Sequence, residues 1–417
     1  MNVLRSGIYS GMATLAKLLS ALLVLKLVAV YAGPAGVARL GQFTSLMSLL
    51  AVLAGGGIGA GVVKYVAEYR DDPGMLARLL GTALGYAACA AGAMALVGLL
   101  CSRQIAQRLL GDAHYQSLIC ALALAQLGIA LLNYILAVVN GFMDVRRLAF
   151  IQVVGAGLSV LVVACLAGWL QLYGVLLGLV LGQLAWLCVG LPALRRSPYF
   201  RREMFRIRFD APMVRRLAAF SAMTLASALL PLLVNIGVRD HLAGRFGWQQ
   251  VGYWQAVGRV SDAYLLFFTT AINVYYLPKL AALQTRTDLL RELRGAYRYV
   301  LPAVSTAAIA LYLCRDGVTR VLFARDFAAA ASLYAPQLIG DVLKIASFVL
   351  SYLMLAKAMT RLFVISECVF AISYLGLVYL FTARMGLIGA TYAFACNYAV
   401  YLLFNVVVAR RYLRGLG

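Results

Sequence analysis

Acidic residues, histidines and prolines are scarce in this chain, and charge of either sign is scarce overall. Only 15 of the 417 residues are Asp or Glu, two are His, nine are Pro, and charged residues make up 12%. Soluble globular domains carry about 25% charged residues, and disordered chains are poor in apolar residues. Both classes are excluded by a hydrophobic content of 64% and a mean hydropathy of +0.88.

Residues that carry catalysis or hold a cofactor are also missing from the sequence. No Cys-x-x-Cys pair and no Gly-x-x-x-x-Gly-Lys-Ser/Thr motif occurs, and His114 and His241 lie far apart. The eight cysteines are scattered through apolar runs, which is typical of small packing residues in helices. We therefore expect no enzymatic activity, no metal site and no cofactor.

Long apolar runs are the main feature of the sequence. A membrane-spanning helix needs about 20 mostly apolar residues, and lipid offers no partner for the backbone groups of an open strand. The pattern predicts an all-α polytopic membrane protein with twelve transmembrane helices. We place them at residues 8–32, 42–66, 78–101, 117–140, 148–170, 173–194, 217–240, 251–277, 297–314, 332–356, 362–382 and 386–409.

The basic residues predict the orientation of these spans. The net charge is +22, which in a soluble protein would indicate nucleic acid but in a membrane protein reflects the positive-inside bias. Most Lys and Arg residues fall in loops on the side of both termini. We expect both termini in the cytoplasm and no nucleic-acid partner.

The longest polar stretch divides the chain into two halves. Residues 196–216 are rich in arginine, interleaved with Phe200, Phe205 and Phe209, and are predicted to be a basic cytoplasmic linker lying at the lipid headgroups. Residues 1–195 and 217–417 would each form a six-helix lobe. Short matches recur at about half the chain length, such as Arg147–Phe150 with Arg361–Val364, which indicates a parallel internal repeat with a seam between the lobes.

Charged residues inside the predicted spans are the candidate functional residues, because each costs about 2.5–3.5 kcal/mol at the bilayer centre. Five cations outnumber three carboxylates, so an enclosed seam would suit an anion such as a phosphate or diphosphate. The candidate substrate-binding cations are Lys17, Lys26, Lys64, Arg259 and Lys344. The candidate coupling or ion-pairing carboxylates are Asp262, Asp341 and Glu367.

Spacing leaves alternatives open for these residues. The pair Arg259 and Asp262 and the pair Asp341 and Lys344 are each three residues apart, so each pair could neutralise itself on one helix face. Lys17 and Lys26 lie on opposite sides of an ideal helix, and we favour Lys26 for the cavity. Lys64 could also anchor its helix at the headgroups.

A glycine-rich run in the second predicted span is the remaining conspicuous motif. It covers residues 55–61, has no preceding strand and lies within an apolar run. A dinucleotide-binding loop needs a strand before it. The run therefore predicts close helix packing or a bend, with a hinge for movement of the lobes as the alternative.

Four stretches of the chain resemble the Wzx-type flippases of the multidrug/oligosaccharidyl-lipid/polysaccharide exporter superfamily, especially the branch serving enterobacterial common antigen. They are Lys26–Phe43, Leu53–Tyr69, Ser261–Phe267 and Gly340–Ala358. The resemblance implies two six-helix lobes in a bacterial inner membrane. It also implies export of an undecaprenyl-diphosphate-linked oligosaccharide, either lipid III or an O-antigen unit, to the periplasmic leaflet by alternating access.

The resemblance also implies which residues and partners matter. The family pattern carries over onto Lys17, Lys26, Lys64, Asp262, Asp341 and Lys344, whereas Arg259 departs from it. Membrane lipids, a polysaccharide polymerase and a chain-length regulator are the implied partners. Two other functions fit the same fold class: a cation-coupled multidrug antiporter, which would need a net acidic cavity, and a non-transporting scaffold of a polysaccharide assembly complex, whose buried charges would all be paired.

Overall fold

The protein is helical throughout the part described by a computed structural model, which covers residues 3–55, 57–272, 276–323, 325–357 and 359–415. Within these residues there is no strand. The helices are α1 (Val3–Ala54), α2 (Gly59–Tyr69), α3 (Pro73–Leu100), α4 (Ser102–Ile105), α5 (Gln116–Gly141), α6 (Val145–Arg195), α7 (Ala211–Ala271), α8 (Leu277–Ala282), α9 (Arg286–Leu313), α10 (Arg315–Leu322), α11 (Ala331–Ala356), α12 (Thr360–Met385) and α13 (Ile388–Arg414).

Three of these helices are interrupted at a residue with positive φ. The breaks lie at Gly33 (φ 58°) in α1, Gln171 (φ 49°) in α6 and Gly247 (φ 80°) in α7. Each break falls between two predicted spans. When the arms are counted separately, the described residues contain twelve long helical segments.

The helices are also apolar enough to cross a membrane. Eight stretches meet this condition by length and composition among the described residues, including the doubly long α1 and α6. The prediction of an all-α polytopic membrane protein is confirmed. The assignment of one membrane crossing to each of twelve segments stays a prediction.

The glycine-rich run bends the chain. Helix α1 ends at Ala54 and α2 begins at Gly59, with Gly57 at a φ of 67° between them. Glycine adopts this conformation readily because it has no Cβ. The predicted span at residues 42–66 is therefore two helices joined by a turn, as the bend interpretation of the run expects.

The chain divides into two compact units. The first, which we call unit 1, comprises Met1–Ala32 and Arg39–Ile236, and unit 2 comprises Gly33–Ala38 and Gly237–Gly417. Residues 33–38 join unit 2 through α7, where Gly252 lies so close to the carbonyl group of Pro34 that a Cβ would overlap it. The predicted lobes, residues 1–195 and 217–417 with the linker between them, stay a prediction about membrane topology.

The core of unit 1 is built from α2, α3, α5, α6 and the first arm of α7. Its fully buried side chains include Leu79, Leu80, Ile135, Val138 and Ile151. Burial of a large aliphatic side chain stabilises a fold by about 1.5–3 kcal/mol in water. In lipid, close packing supplies most of the cohesion instead.

The basic linker is packed against this core. The Tyr134 hydroxyl donates to the carbonyl oxygen of Met204 at 2.8 Å, and the backbone N–H of Arg208 donates to the carbonyl oxygen of Gly81 at 3.3 Å. Phe200 and Phe205 pack against the core cluster. Only Phe209, which is 64% exposed, keeps the accessibility expected of a headgroup anchor. The placement of the linker at the lipid headgroups stays a prediction.

Unit 2 has its own core, formed mainly by α9, α11, α13 and the second arm of α7. Leu289, Val304, Ile345 and Val349 are among its buried side chains. The hydroxyl group of Tyr297 donates to the carbonyl oxygen of Ala346 at 2.7 Å and so ties α9 to α11. This packing fixes α11, the helix that carries Asp341 and Lys344.

Candidate functional site

The eight candidate residues are distributed over both units. Unit 1 carries three cations, and unit 2 carries two cations with all three carboxylates. Those of unit 1 are Lys17, Lys26 and Lys64, and those of unit 2 are Arg259, Asp262, Asp341, Lys344 and Glu367.

Asp341 of α11 is fully buried, with a relative exposure of 0%, and is enclosed by neutral donors. Its Oδ2 accepts hydrogen bonds from Ser261 Oγ at 2.5 Å and from the hydroxyl group of Tyr264 at 2.9 Å. The amide Nε2 of Gln337 donates to Oδ1 at 3.2 Å. Since Ser261 and Tyr264 belong to α7, this carboxylate joins the second arm of α7 to α11.

Lys344, one turn further along α11, lies among aromatic rings. Its Nζ is 5.8 Å from the ring centroid of Phe394 and 5.8 Å from that of Tyr398, both on α13. Aromatic faces stabilise a cation at such distances. The Asp341 carboxylate takes its hydrogen bonds from other residues, but the two charges still interact electrostatically, so neutralisation of one by the other stays an open alternative.

Several further charges nevertheless surround Lys344. Its ammonium group interacts electrostatically with Asp262, Asp341 and Glu367, as well as with Tyr398. Glu367 of α12 accepts a hydrogen bond from the hydroxyl group of Tyr401 at 2.6 Å. The structure therefore brings all three predicted carboxylates into the electrostatic environment of one predicted cation.

Arg239 lies at the end of the predicted span 217–240 and belongs to the same polar cluster, although the sequence did not single it out. It is only 5% exposed, and its Nε donates to Oε1 of Gln255 at 2.6 Å. It interacts electrostatically with Arg259, Asp262 and Tyr374. The helix continues past residue 240 to the break at Gly247, and the absence of Gly and Pro from residues 238–243 was the available signal.

We call these residues the unit 2 polar cluster. It contains three cations, Arg239, Arg259 and Lys344, and three carboxylates, Asp262, Asp341 and Glu367. Formal charge within it is therefore balanced. The positive excess predicted from the sequence resides in the three lysines of unit 1.

Those three lysines differ in accessibility. Lys17 is exposed, and Lys26, nine residues later in α1, is partly buried, which fits their opposite positions on the helix. Lys64 of α2 is exposed, with its Nζ 5.0 Å from the ring centroid of Tyr65. Tyr65 in turn stacks on Tyr69 with the ring centroids 5.8 Å apart.

These groups can bind an anion through their charges and can stack on a ring of a bound molecule through their aromatic side chains. Ammonium and guanidinium groups bind phosphate oxygens, and the aromatic rings around Lys344 offer flat apolar faces. Among the residues that the structure describes, no group of three or more His, Cys, Asp or Glu side chains could hold a metal ion.

Comparison with known proteins places this chain in a family. The family described as "Polysaccharide biosynthesis protein" matches residues 3–284. The chain is 36% identical over 407 residues to the Lipid III flippase of Escherichia coli (strain K12), a match covering 96% of each protein. The Lipid III flippase of Shigella flexneri matches with the same identity and coverage.

Solved structures show the same fold at low identity. A multidrug resistance MATE family transporter of the MOP superfamily, in its inward-facing conformation, superposes with a TM-score of 0.83 at 14% identity, covering 96% of this chain and 95% of that one. The Lipid II flippase MurJ gives a TM-score of 0.77 at 12% identity, covering 98% and 87%. With fold and full-length sequence similarity in agreement, the chain belongs to the polysaccharide biosynthesis protein family.

Proposed function

We propose that this protein is a flippase that moves an undecaprenyl-diphosphate-linked oligosaccharide from the cytoplasmic to the periplasmic leaflet by alternating access. The observation that carries the proposal is the 36% identity to Lipid III flippases over 96% of both chains. Lipid III is accordingly the first substrate to test, and an O-antigen unit is the second. Chemical catalysis has no part in this function.

The location follows from the same proposal. The protein would lie in a bacterial inner membrane as twelve spans, with both termini and the linker at residues 196–216 in the cytoplasm. The exposed arginines of the linker support this orientation because basic residues are retained on the cytoplasmic side. Lobes at residues 1–195 and 217–417 would each contribute six spans.

The roles of the candidate residues follow from their chemistry. Lys17, Lys26, Lys64, Arg259 and Lys344 would bind the diphosphate, and the rings of Phe394 and Tyr398 would border the position of Lys344. Asp262 and Glu367 are exposed and would bind a coupling proton or pair with cations. The fully buried Asp341, with its three donors, would hold α7 against α11.

Flipping by purified protein in proteoliposomes tests the proposal directly. A membrane-impermeant reagent would quench fluorescently labelled lipid III only in the outer leaflet. We expect the protein to speed the movement of this lipid between leaflets, and a labelled phosphatidylcholine should not respond. Equal rates with and without protein would contradict the proposal.

Substitution of Lys26 tests the predicted diphosphate contact. We expect Lys26→Ala to slow flipping at unchanged membrane abundance, whereas Arg103→Ala, which removes an exposed cation outside the candidate set, should not. Unaltered flipping in Lys26→Ala would remove this residue from the site.

A cation-coupled multidrug antiporter is the second candidate, favoured by the TM-score of 0.83 with a MATE family transporter. Such a protein needs an acidic binding site for a cationic drug. The unit 2 polar cluster contains as many cations as carboxylates, which speaks for the flippase. Export of a cationic dye by the proteoliposomes, without flipping of lipid III, would reverse the order of the two candidates.

A further inference from the structure

An apolar groove runs along unit 2 between α9 and α11, and its lining includes no residue assigned a function above. It has a volume of about 280 Å³. From α9 it is lined by Ala308, Ile309 and Tyr312, and from α11 by Ala335, Leu338 and Ile339. The lining contains no charged side chain and includes neither Asp341 nor Lys344.

Small side chains create this groove. Ala308 and Ala335 leave a gap that larger residues on two packed helices would fill. Ile309 is 61% exposed and Ile339 is 59% exposed, so the walls of the groove open outward. From residue 305 to residue 312 an α-helix rises about 10 Å, which matches part of one extended hydrocarbon chain.

A cation lies at one end of the groove. The guanidinium carbon of Arg315 is 4.4 Å from the ring centroid of Tyr312, and its Nη1 donates to the carbonyl oxygen of Tyr312 at 2.9 Å. The ring of Tyr312 is therefore both a wall of the groove and the platform for the guanidinium group. Stacking and the hydrogen bond fix the side chain at the end of α9.

We propose that this groove binds an anionic glycerophospholipid, with one acyl chain between α9 and α11 and the phosphate at Arg315. An apolar groove beside a membrane span can bind an acyl chain, and a guanidinium group at the end of the groove can bind a phosphate. Because the lining includes no residue of the unit 2 polar cluster, we assign the groove to a resident lipid and not to the transported one. The proposal does not depend on the proposed function.

The experiment measures lipid retained by purified protein with native mass spectrometry. The probes are phosphatidylglycerol and the zwitterionic phosphatidylethanolamine. Arg315→Gln should weaken retention of phosphatidylglycerol relative to phosphatidylethanolamine by about fivefold, the loss expected for one basic group near anionic lipid. Arg320→Gln removes an exposed cation of α10 outside the groove and is the matched control.

Filling the groove tests the acyl chain contact separately. Ala335→Phe should reduce retention of both lipids, and so should Ser305→Leu, a milder change at another residue that lines the groove on α9. Ala310→Phe, on the exposed face of α9 outside the lining, should not. Gel filtration and thermal unfolding check that each variant is folded, and the result is taken from folded variants. Retention unchanged in folded Ser305→Leu would overturn the proposal, as would equal losses in Arg315→Gln and Arg320→Gln.

Competition decides which lipid occupies the groove. We expect undecaprenyl phosphate, added at the same concentration, to leave bound phosphatidylglycerol in place. Displacement that requires Arg315 would assign the groove to a prenyl lipid and overturn the phospholipid proposal. Flipping of lipid III is a separate measurement, so failure here leaves the proposed function as it stands.

Discussion

Lys344 is the cation whose surroundings are best defined at the scale of single residues. It lies over the rings of Phe394 and Tyr398 and interacts electrostatically with Asp341, whose own hydrogen bonds come from other residues. The ammonium group has three hydrogen-bond donors. Under the proposed function, these donors would bind the diphosphate.

We therefore expect Lys344→Gln to slow flipping of lipid III by about tenfold or more, the size of one lost charge-assisted hydrogen bond. Lys344→Arg should retain more activity than Lys344→Gln because it keeps the charge. The measurement is the initial rate in proteoliposomes at matched protein content. Arg361→Gln, an exposed cation of α12, is the control, and a loss in this variant equal to that of Lys344→Gln would show a general charge effect.

Asp341 has a structural role that can be measured apart from transport. Asp341→Leu leaves Ser261, Tyr264 and Gln337 without their acceptor, and an unsatisfied buried polar group costs about 1–3 kcal/mol. We expect a clear fall in the unfolding temperature of the detergent-solubilised protein. Asp341→Asn keeps one acceptor oxygen and should fall less. If both variants unfold at the temperature of the natural protein, the hydrogen bonds do not stabilise the joint between α7 and α11.

Sequence reasoning identified charged residues at this scale but not their partners. Apolar flanks were enough to select Asp341, Lys344 and Glu367. The aromatic rings beside Lys344 lie some 50 residues away on α13, so spacing within one helix suggested an ion pair instead. Arg239 lies next to the end of the predicted span 217–240 and was missed because its partner Gln255 lies 16 residues away, beyond the break at Gly247.

At the scale of elements, the basic linker is held by close backbone approach to α3. A Cβ on Gly81 would lie 2.5 Å from the carbonyl oxygen of Arg206, and one on Gly85 would lie 3.0 Å from the side chains of Ile207 and Phe209. The backbone N–H of Asp210 also donates to Oγ1 of Thr82 at 3.3 Å. Only a small residue at position 81 permits this docking.

Gly81→Val should therefore displace the linker from α3. Trypsin cleaves after arginine. The rate of cleavage after the exposed residues Arg201, Arg206 and Arg208 therefore measures how accessible the linker is. We expect cleavage in this segment to become faster, because local release exposes the backbone. Gly92→Val, on the same helix with open space around it, is the control. Equal cleavage rates in both variants would contradict the docking.

The linker also shows what composition can and cannot predict for an element. Arginines at high density indicated a cytoplasmic polar segment between two sets of helices. They did not indicate that Met204 would be buried under Tyr134, since that contact joins residues 70 positions apart. Glycines predicted the helix breaks better than arginines predicted the linker contacts. Gly33 and Gly247 lie between predicted spans, and the helices break at both residues.

At the scale of the whole molecule, charge is distributed unequally between the units. The unit 2 polar cluster is balanced, with three cations and three carboxylates, and the candidate residues of unit 1 are all lysines. An anionic substrate carried by such a protein brings uncompensated negative charge with it. The membrane potential then acts on transport, at about 2.3 kcal/mol per charge per 100 mV.

The membrane potential is therefore the predicted driving force. With the cytoplasmic side negative, movement of the diphosphate lipid toward the positive side is downhill, so a potassium diffusion potential set by valinomycin should accelerate flipping in that direction and slow the reverse. A pH gradient imposed without a potential should have the smaller effect, because Asp341 is enclosed by donors and is poorly placed to exchange a proton. The two gradients are applied separately to the same proteoliposomes. Acceleration by the pH gradient alone, abolished in Glu367→Gln or Asp262→Asn, would show proton coupling through an exposed carboxylate instead.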